Sequence, residues 1–347
     1  MSRSATSMNQ ARFVKVIKPW VRVAVGVALL WFLLSHTSPS DFRGILASAA
    51  SHRYWILSGL LLTFLALVAG SIRWQHVLDV QGIHFTGWQA LRIVFVGQFF
   101  NSFMLGACGG DMVRAYYAAR GQPGKRAEAT ATIFVDRGIG LFTMIVFCCV
   151  MIVFRIRVFL DNDGPRDTGV LMILFLVLAC LAIVILFQKN VFEHFEFFRR
   201  IESTPRLGPL IRRAYEAFFI YRGHHRTLFV AVVCSLLNLF LLTLACYCFG
   251  RALEIGRPPR DYFTLVPIIS VISAVPLTPG SLGVRESLFV SLFRAVMVTK
   301  SHALLLSLMF YAGGVFWSLV GGLVYVAGSF GGSHARVAAF RDEAGSG

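Results

Sequence analysis

The sequence predicts an all-α polytopic membrane protein: six spanning helices and two re-entrant or broken helical hairpins, arranged as an inverted repeat. Three observations carry that prediction. Of the 347 residues, 56% are hydrophobic and only 14% are charged, where a soluble domain needs about 25% charged residues to cover its surface. Successive apolar runs have the length, about 20 residues, that crosses a ~30 Å hydrocarbon core as helix. Two further runs are long but broken by glycine or proline. Such breaks are tolerated in lipid only where the freed backbone groups meet protein or a water-filled cavity.

Taken in order, residues 1–18 form a basic tail. The first span, 19–35, holds the apolar stretch Trp20 to Leu34 without a small-residue cleavage site, so it reads as a helix and not a signal peptide. The second span is 54–72. The stretch 88–113 is the first hairpin, interrupted by Gly106, Gly109, Gly110 and Asp111, and 129–154 is the third span. A fourth span covers 169–188. In the insertion 189–226, Phe192, Phe195, Phe198, Ile201, Leu207, Leu210, Ile211, Phe218 and Phe219 alternate with Arg199, Arg200, Arg206, Arg212 and Arg213; this suits interfacial helices on an anionic leaflet as well as it suits a solvated loop. The fifth span is 227–250. The second hairpin, 261–297, is broken by Pro276, Pro279, Gly280 and Gly283, and 302–328 is the last span. Residues 329–347 are rich in Gly, Ser and Ala and are expected to be a disordered tail. The transmembrane domain is thus 19–328, with repeats at 19–154 and 169–328. Asp111 and Arg285 each precede the end of the following span, at 154 and 328, by 43 residues. Paired, interrupted segments in corresponding halves are the sequence pointer to a transporter-like site near the bilayer midplane.

The formal net charge of +16 would suit nucleic acid, but the cations lie mostly in loops between apolar runs. That pattern excludes nucleic acid and follows the positive-inside rule. If both hairpins re-enter, one face carries 19 Lys and Arg and the other 9. Both termini are therefore expected to be cytoplasmic, with the protein in the plasma membrane, a bacterial-type inner membrane. Seven cysteines sit in or beside apolar segments without His or Cys partners at zinc spacing, and no Gly-x-x-x-x-Gly-Lys loop occurs. No metal, no cofactor and no ATP hydrolysis are expected.

Two constellations carry candidate function. The first runs from Asn101 through Gly109-Gly110-Asp111 to Arg114; Asp111 and Arg114, three apart, share a helix face. The second is Pro276-Leu277-Thr278-Pro279-Gly280-Ser281-Leu282-Gly283-Val284-Arg285-Glu286. There a half-helix begins near Ser281, and a helix N-terminus with nearby hydroxyls suits an anion. Charged residues inside a membrane are functional candidates by default. Arg114 and Arg285 are suited to phosphate, with Asp111 and Glu286 tuning them or Glu286 accepting a headgroup amine. A structural ion pair in each hairpin is the competing reading. Asp136-Arg137 lies inside the third span; adjacent residues do not share a face, so the two should find different partners. Arg137 either borders the same cavity or snorkels. Arg22 and Arg73-Trp74 read as interfacial anchors. The candidate substrate-binding residues are Asn101, Asp111, Arg114, Arg137, Ser281, Arg285 and Glu286; none is assigned as catalytic.

The set Asn101…Gly109-Gly110-Asp111-x-x-Arg114, Asp136-Arg137 and Pro276-x-Thr278-Pro279-Gly280-x-x-Gly283-x-Arg285-Glu286 resembles the transmembrane region of lysylphosphatidylglycerol synthases, the flippase-like uncharacterised protein family 0104. The resemblance covers about 19 to 328. It departs from the family where Gly106-Ala107 stands in place of a common proline. It implies an integral membrane protein of lipid translocation or of lipid-linked glycan and hopanoid pathways. The synthases carry a soluble C-terminal transferase domain, and none is expected in the 19 residues after 328. The leading expectation is a lipid flippase or lipid-binding transporter, not an enzyme, for an amphiphile with an anionic headgroup. The alternatives are a non-catalytic partner of a lipid- or glycan-biosynthesis enzyme, and a membrane-embedded transferase on a lipid-linked substrate. The last would need a positioned base, and no aspartate-rich motif or histidine cluster accompanies Asp111 or Glu286.

Overall fold

The computed structural model describes residues 44–45, 49, 51–103, 109–120, 125–161, 163–186, 219–275 and 281–344. Among them the chain forms helices and no strands. These are α1 (Arg53–Val80), α2 (Gly87–Phe103), α3 (Gly109–Arg120), α4 (Arg126–Phe154), α5 (Ile156–Leu160), α6 (Asp163–Leu186), α7 (His225–Ala252), α8 (Pro259–Ser273), α9 (Val284–Arg294) and α10 (Lys300–Ala344). Four of the described helices, at 53–80, 126–154, 225–252 and 300–327, are long and apolar enough to cross a membrane. Helix α6 stands where the fourth span was expected. The first span, 19–35, and most of the insertion 189–226 lie outside the described residues.

Helices α1 and α7 form the central antiparallel pair. Along α1 the contact points rise while along α7 they fall: Gly59 backs onto the Phe249 ring, Asn238 Nδ2 donates to Ala66 O (2.6 Å) and Arg73 Nη1 donates to Ser235 Oγ (3.0 Å); just before α7, Tyr221 Oη donates to Val77 O (2.8 Å). Small residues at such crossings let two apolar helices approach where lipid offers no hydrophobic drive to associate. At 28 residues, α1 is about 42 Å long. It runs well beyond the expected end at 72, because Trp74, Val77 and Leu78 continue an apolar face that is fully buried.

Both broken segments fold as hairpins. In the first, α2 and α3 meet backbone to backbone: a Cβ on Gly110 would lie 1.9 Å from Gly97 O. Asn101 Oδ1 accepts the Gly110 N–H (2.9 Å) beside the break. Overpacking at a contact this close should cost about 1–3 kcal/mol, so Gly110→Ala is expected to lower the thermal midpoint in detergent. Gly138→Ala, where a Cβ meets nothing within 4 Å, should leave it unchanged. In the second hairpin, Ser281 Oγ donates to Ser273 O (2.5 Å) across the break. Tyr262 and Phe293 then pack edge to face at 5.4 Å.

Packing partners come in matched sets. Helix α1 packs on α2 as α7 does on α8; α2 on α3 as α8 on α9; α3 on α4 as α9 on α10; and α2 on α10 as α8 on α4. This is the order in which an inverted repeat would pair its elements. The larger core joins α4 and α7 to α10 through Phe249, Tyr262, Ile268, Phe289, Phe293 and Leu306, and a smaller one seats Trp74, Leu78, Ala118 and Ile133 beneath the first hairpin. Helix α10 runs on to Ala344. Ala335, Ala338, Ala339 and Arg336 there are strong helix formers, and they offset the glycines that set the composition.

Candidate functional site

Ionisable side chains in a membrane body are costly unless paired, hydrated or used. Here five of them line one cavity of about 370 Å³: Arg73 from α1, Arg114 from α3, Asp136 and Arg137 from α4 and Arg285 from α9. Gln98, Ser102, Asn238 and Tyr311 add polar atoms, while Leu67, Val94, Leu242 and Val315 form apolar wall.

The first hairpin builds most of the charge. Helix α3 opens at Gly109-Gly110, which leaves Asp111 in the first turn, where the helix dipole favours an acid. Arg114 follows one turn later. Asp136, only 1% exposed, accepts Arg73 Nε at 2.7 Å and Arg114 Nη2 at 3.2 Å. Arg114 lies over the Trp74 ring at 4.4 Å and 3.7 Å from Asp111. Asp111 in turn holds Arg137 through two bonds, 3.1 and 2.9 Å long. The result is a chain Arg73–Asp136–Arg114–Asp111–Arg137. Its members alternate in sign.

Across the cavity, Arg285 stacks over Tyr311 at 4.3 Å. It donates through Nη2 to Glu286 Oε1 and through Nε to Ser307 Oγ (3.2 Å). Glu286 is fully buried. Its Oε2 accepts the Gly283 N–H at 2.6 Å, closing the first turn of α9 as a capping carboxylate does. Gly283 has φ 82°, which a residue without Cβ adopts freely. Ser307 Oγ donates to Glu286 Oε1 as well (3.3 Å). Both carboxylate oxygens are therefore engaged, and Glu286 holds Arg285 in place.

Of the residues singled out from sequence, the structure brings Arg114, Arg137 and Arg285 onto one cavity and sets Asp111 and Glu286 behind them. Asn101 and Ser281 instead pin the two helix breaks and do not line the cavity. Asp111 binds Arg137 more closely than it binds Arg114, so the i,i+3 pair is not the main one. Asp136 and Arg137 do find different partners. Residues 104–108 and 276–280, the breaks themselves, lie outside the described residues.

Sequence reasoning missed Arg73, Asp136, Gln98, Asn238 and Tyr311 as site residues. Arg73 was expected to be an interfacial anchor, yet it lies inside α1 with Trp74 fully buried beside it. The spacing of Trp74, Val77 and Leu78 was the available signal, because it extends the helix past Arg73. For the others no local signal exists; only the fold brings them to the cavity.

Among known proteins, the family model described as the lysylphosphatidylglycerol synthase TM region matches residues 20–321. A UPF0104 membrane protein of Pyrococcus horikoshii is 23% identical over 318 residues, which is 84% of this chain and 92% of that protein. A UPF0104 membrane protein of Methanothermobacter thermautotrophicus is 23% identical over 321 residues, 85% of this chain and 87% of that one.

Proposed function

The chain belongs to the family of the lysylphosphatidylglycerol synthase transmembrane region, and on that premise we propose that it binds and translocates a lipid by holding its headgroup phosphate in the arginine-lined cavity. The observation that carries this reading is the set of four guanidinium groups, Arg73, Arg114, Arg137 and Arg285, on one cavity inside a membrane body. Guanidinium groups bind phosphate bidentately and stay charged at any physiological pH. They come from both halves of the chain, as the site of an inverted-repeat transporter would. Size supports the same view. At ~30 Å³ per water, 370 Å³ takes a phosphate-bearing headgroup but not two acyl chains, so the chains stay in the bilayer.

The reading includes no catalytic step by this chain and no cofactor. It places the protein in a plasma membrane with both termini cytoplasmic, on the positive-inside count. Partnership with a lipid- or glycan-biosynthesis enzyme is compatible with it. The test is transbilayer exchange of a fluorescent phospholipid in liposomes reconstituted with the purified protein. Exchange above that of protein-free liposomes is expected; equal rates, with or without an imposed ion gradient, would overturn the proposal.

A further inference from the structure

We infer that the cavity opens sideways into the bilayer beside Arg137, and that the acyl chains of the bound lipid lie outside this mouth, along the Phe134–Leu141 face of α4. The inference rests on the lipid-binding reading above and adds the place where the chains leave the site.

Arg137 marks the mouth because it belongs to two surfaces. It lines the cavity, yet its side chain is 55% exposed. Phe134, Arg137, Gly138 and Leu141 follow helical spacing and so share one face of α4. Phe134 and Leu141 are both exposed. Gly138 is exposed too, and a Cβ there would meet nothing within 4 Å. None of these three lines the cavity. The face that carries Arg137 therefore points out of the helical body, and its guanidinium sits where the cavity meets the surroundings. On α3, Met112 is exposed as well, next to the Asp111 that bonds Arg137.

Depth makes this edge a lateral opening. Helix α4 has 29 residues, so it is about 43 Å long, with Arg137 about 16 Å from its start and about 25 Å from its end. A hydrocarbon core of ~30 Å centred on that helix contains Arg137. An arginine at such a depth commonly snorkels to the interface. Here Asp111 holds it instead, accepting both Nε and Nη2, at 3.1 and 2.9 Å. A fixed guanidinium with one side open to hydrocarbon is expensive unless something polar covers it. A lipid at the mouth supplies that cover: its phosphate turns inward to the arginines, and its chains lie on Phe134 and Leu141. Gly138 leaves room for a chain to approach the backbone between them. The cavity, at about 370 Å³, has no space for the chains inside.

The experiment uses the purified protein in nanodiscs containing phosphatidylglycerol with a diazirine in one acyl chain. Illumination and peptide mass spectrometry then map where that chain lies. Labelling at Phe134 and Leu141 should exceed labelling at Val233 and Leu237, exposed apolar residues of α7 that sample ordinary surrounding lipid. Arg137→Gln should lower the α4 labelling about fivefold, the scale of one arginine acting on an anionic headgroup, and leave the α7 labelling unchanged. Gly138→Trp, whose ring would occupy the mouth, should slow phospholipid exchange at an unchanged thermal midpoint. Equal labelling of the two helices, α4 labelling indifferent to Arg137→Gln, or parental exchange by Gly138→Trp would each overturn the lateral mouth. The lipid-binding reading survives those results if the parent protein still exchanges phospholipid faster than protein-free liposomes do. A parent protein without exchange would overturn that reading, and the mouth with it.

Discussion

Replacing Asp136 by asparagine is expected to cost about 3–5 kcal/mol of stability, the usual consequence of removing one partner from a buried ionic group. Asp136 is the hub of the network: it is 1% exposed and each of its oxygens accepts from a different arginine. Asparagine keeps the shape and loses the charge. Arg73 and Arg114 would then face each other without a carboxylate between them, and Arg114 is itself only 7% exposed. The measurement is thermal unfolding in detergent together with the yield of monodisperse protein. A marked fall in both is expected. A variant as stable as the parent would mean that Arg73 and Arg114 do not depend on this carboxylate.

Arg114→Lys and Arg285→Lys are each expected to reduce phospholipid exchange by about tenfold or more, because lysine lacks the planar fork and its stacking. At position 114 the guanidinium reaches toward two acids while lying over Trp74; an ammonium keeps the charge but cannot span both. At position 285 the guanidinium lies over Tyr311 and bonds both Ser307 and Glu286. A lysine there would still neutralise Glu286, so the fold should survive while phosphate binding suffers. Lys300→Ala, which removes a cation remote from the cavity lining, should leave exchange at the parental rate. Normal exchange by both lysine variants at matched reconstitution would reduce the two arginines to structural pins.

The sequence announced the elements better than their partners. The Gly109-Gly110-Asp111 and Gly280…Gly283 interruptions mark hairpins because a break in lipid has few other solutions, and the intervening apolar runs set most of the described helix ends within a few residues, α1 and α10 running past theirs. Pairing was legible only where it is local. Glu286 sits beside Arg285 and at the first turn of α9, so both its roles could be read from spacing. Arg73 and Asp136 are 63 positions apart, and no periodicity connects them; they meet because α1 and α4 both pack around the first hairpin. The same holds for Asp111, whose i,i+3 arginine looked sufficient until Arg137, 26 positions on, proved to present two donors in the better geometry. Tyr311 and Asn238 lie on apolar helices whose cavity-facing side is set only by packing. Arg73 misled for a different reason. An arginine next to a tryptophan near the end of an apolar run is the usual mark of an interface, and only the buried continuation through Val77 and Leu78 shows that the helix goes on.

The central claim is that one headgroup phosphate is held by guanidinium groups from both halves of the chain. Its most direct test is a cryo-electron microscopy map of the protein in nanodiscs containing phosphatidylglycerol. The expected result is headgroup density inside the cavity, within hydrogen-bonding distance of Arg285 on one side and of Arg114 or Arg137 on the other. Lipid headgroups ordered only outside the helical body, with the cavity holding water alone, would contradict it.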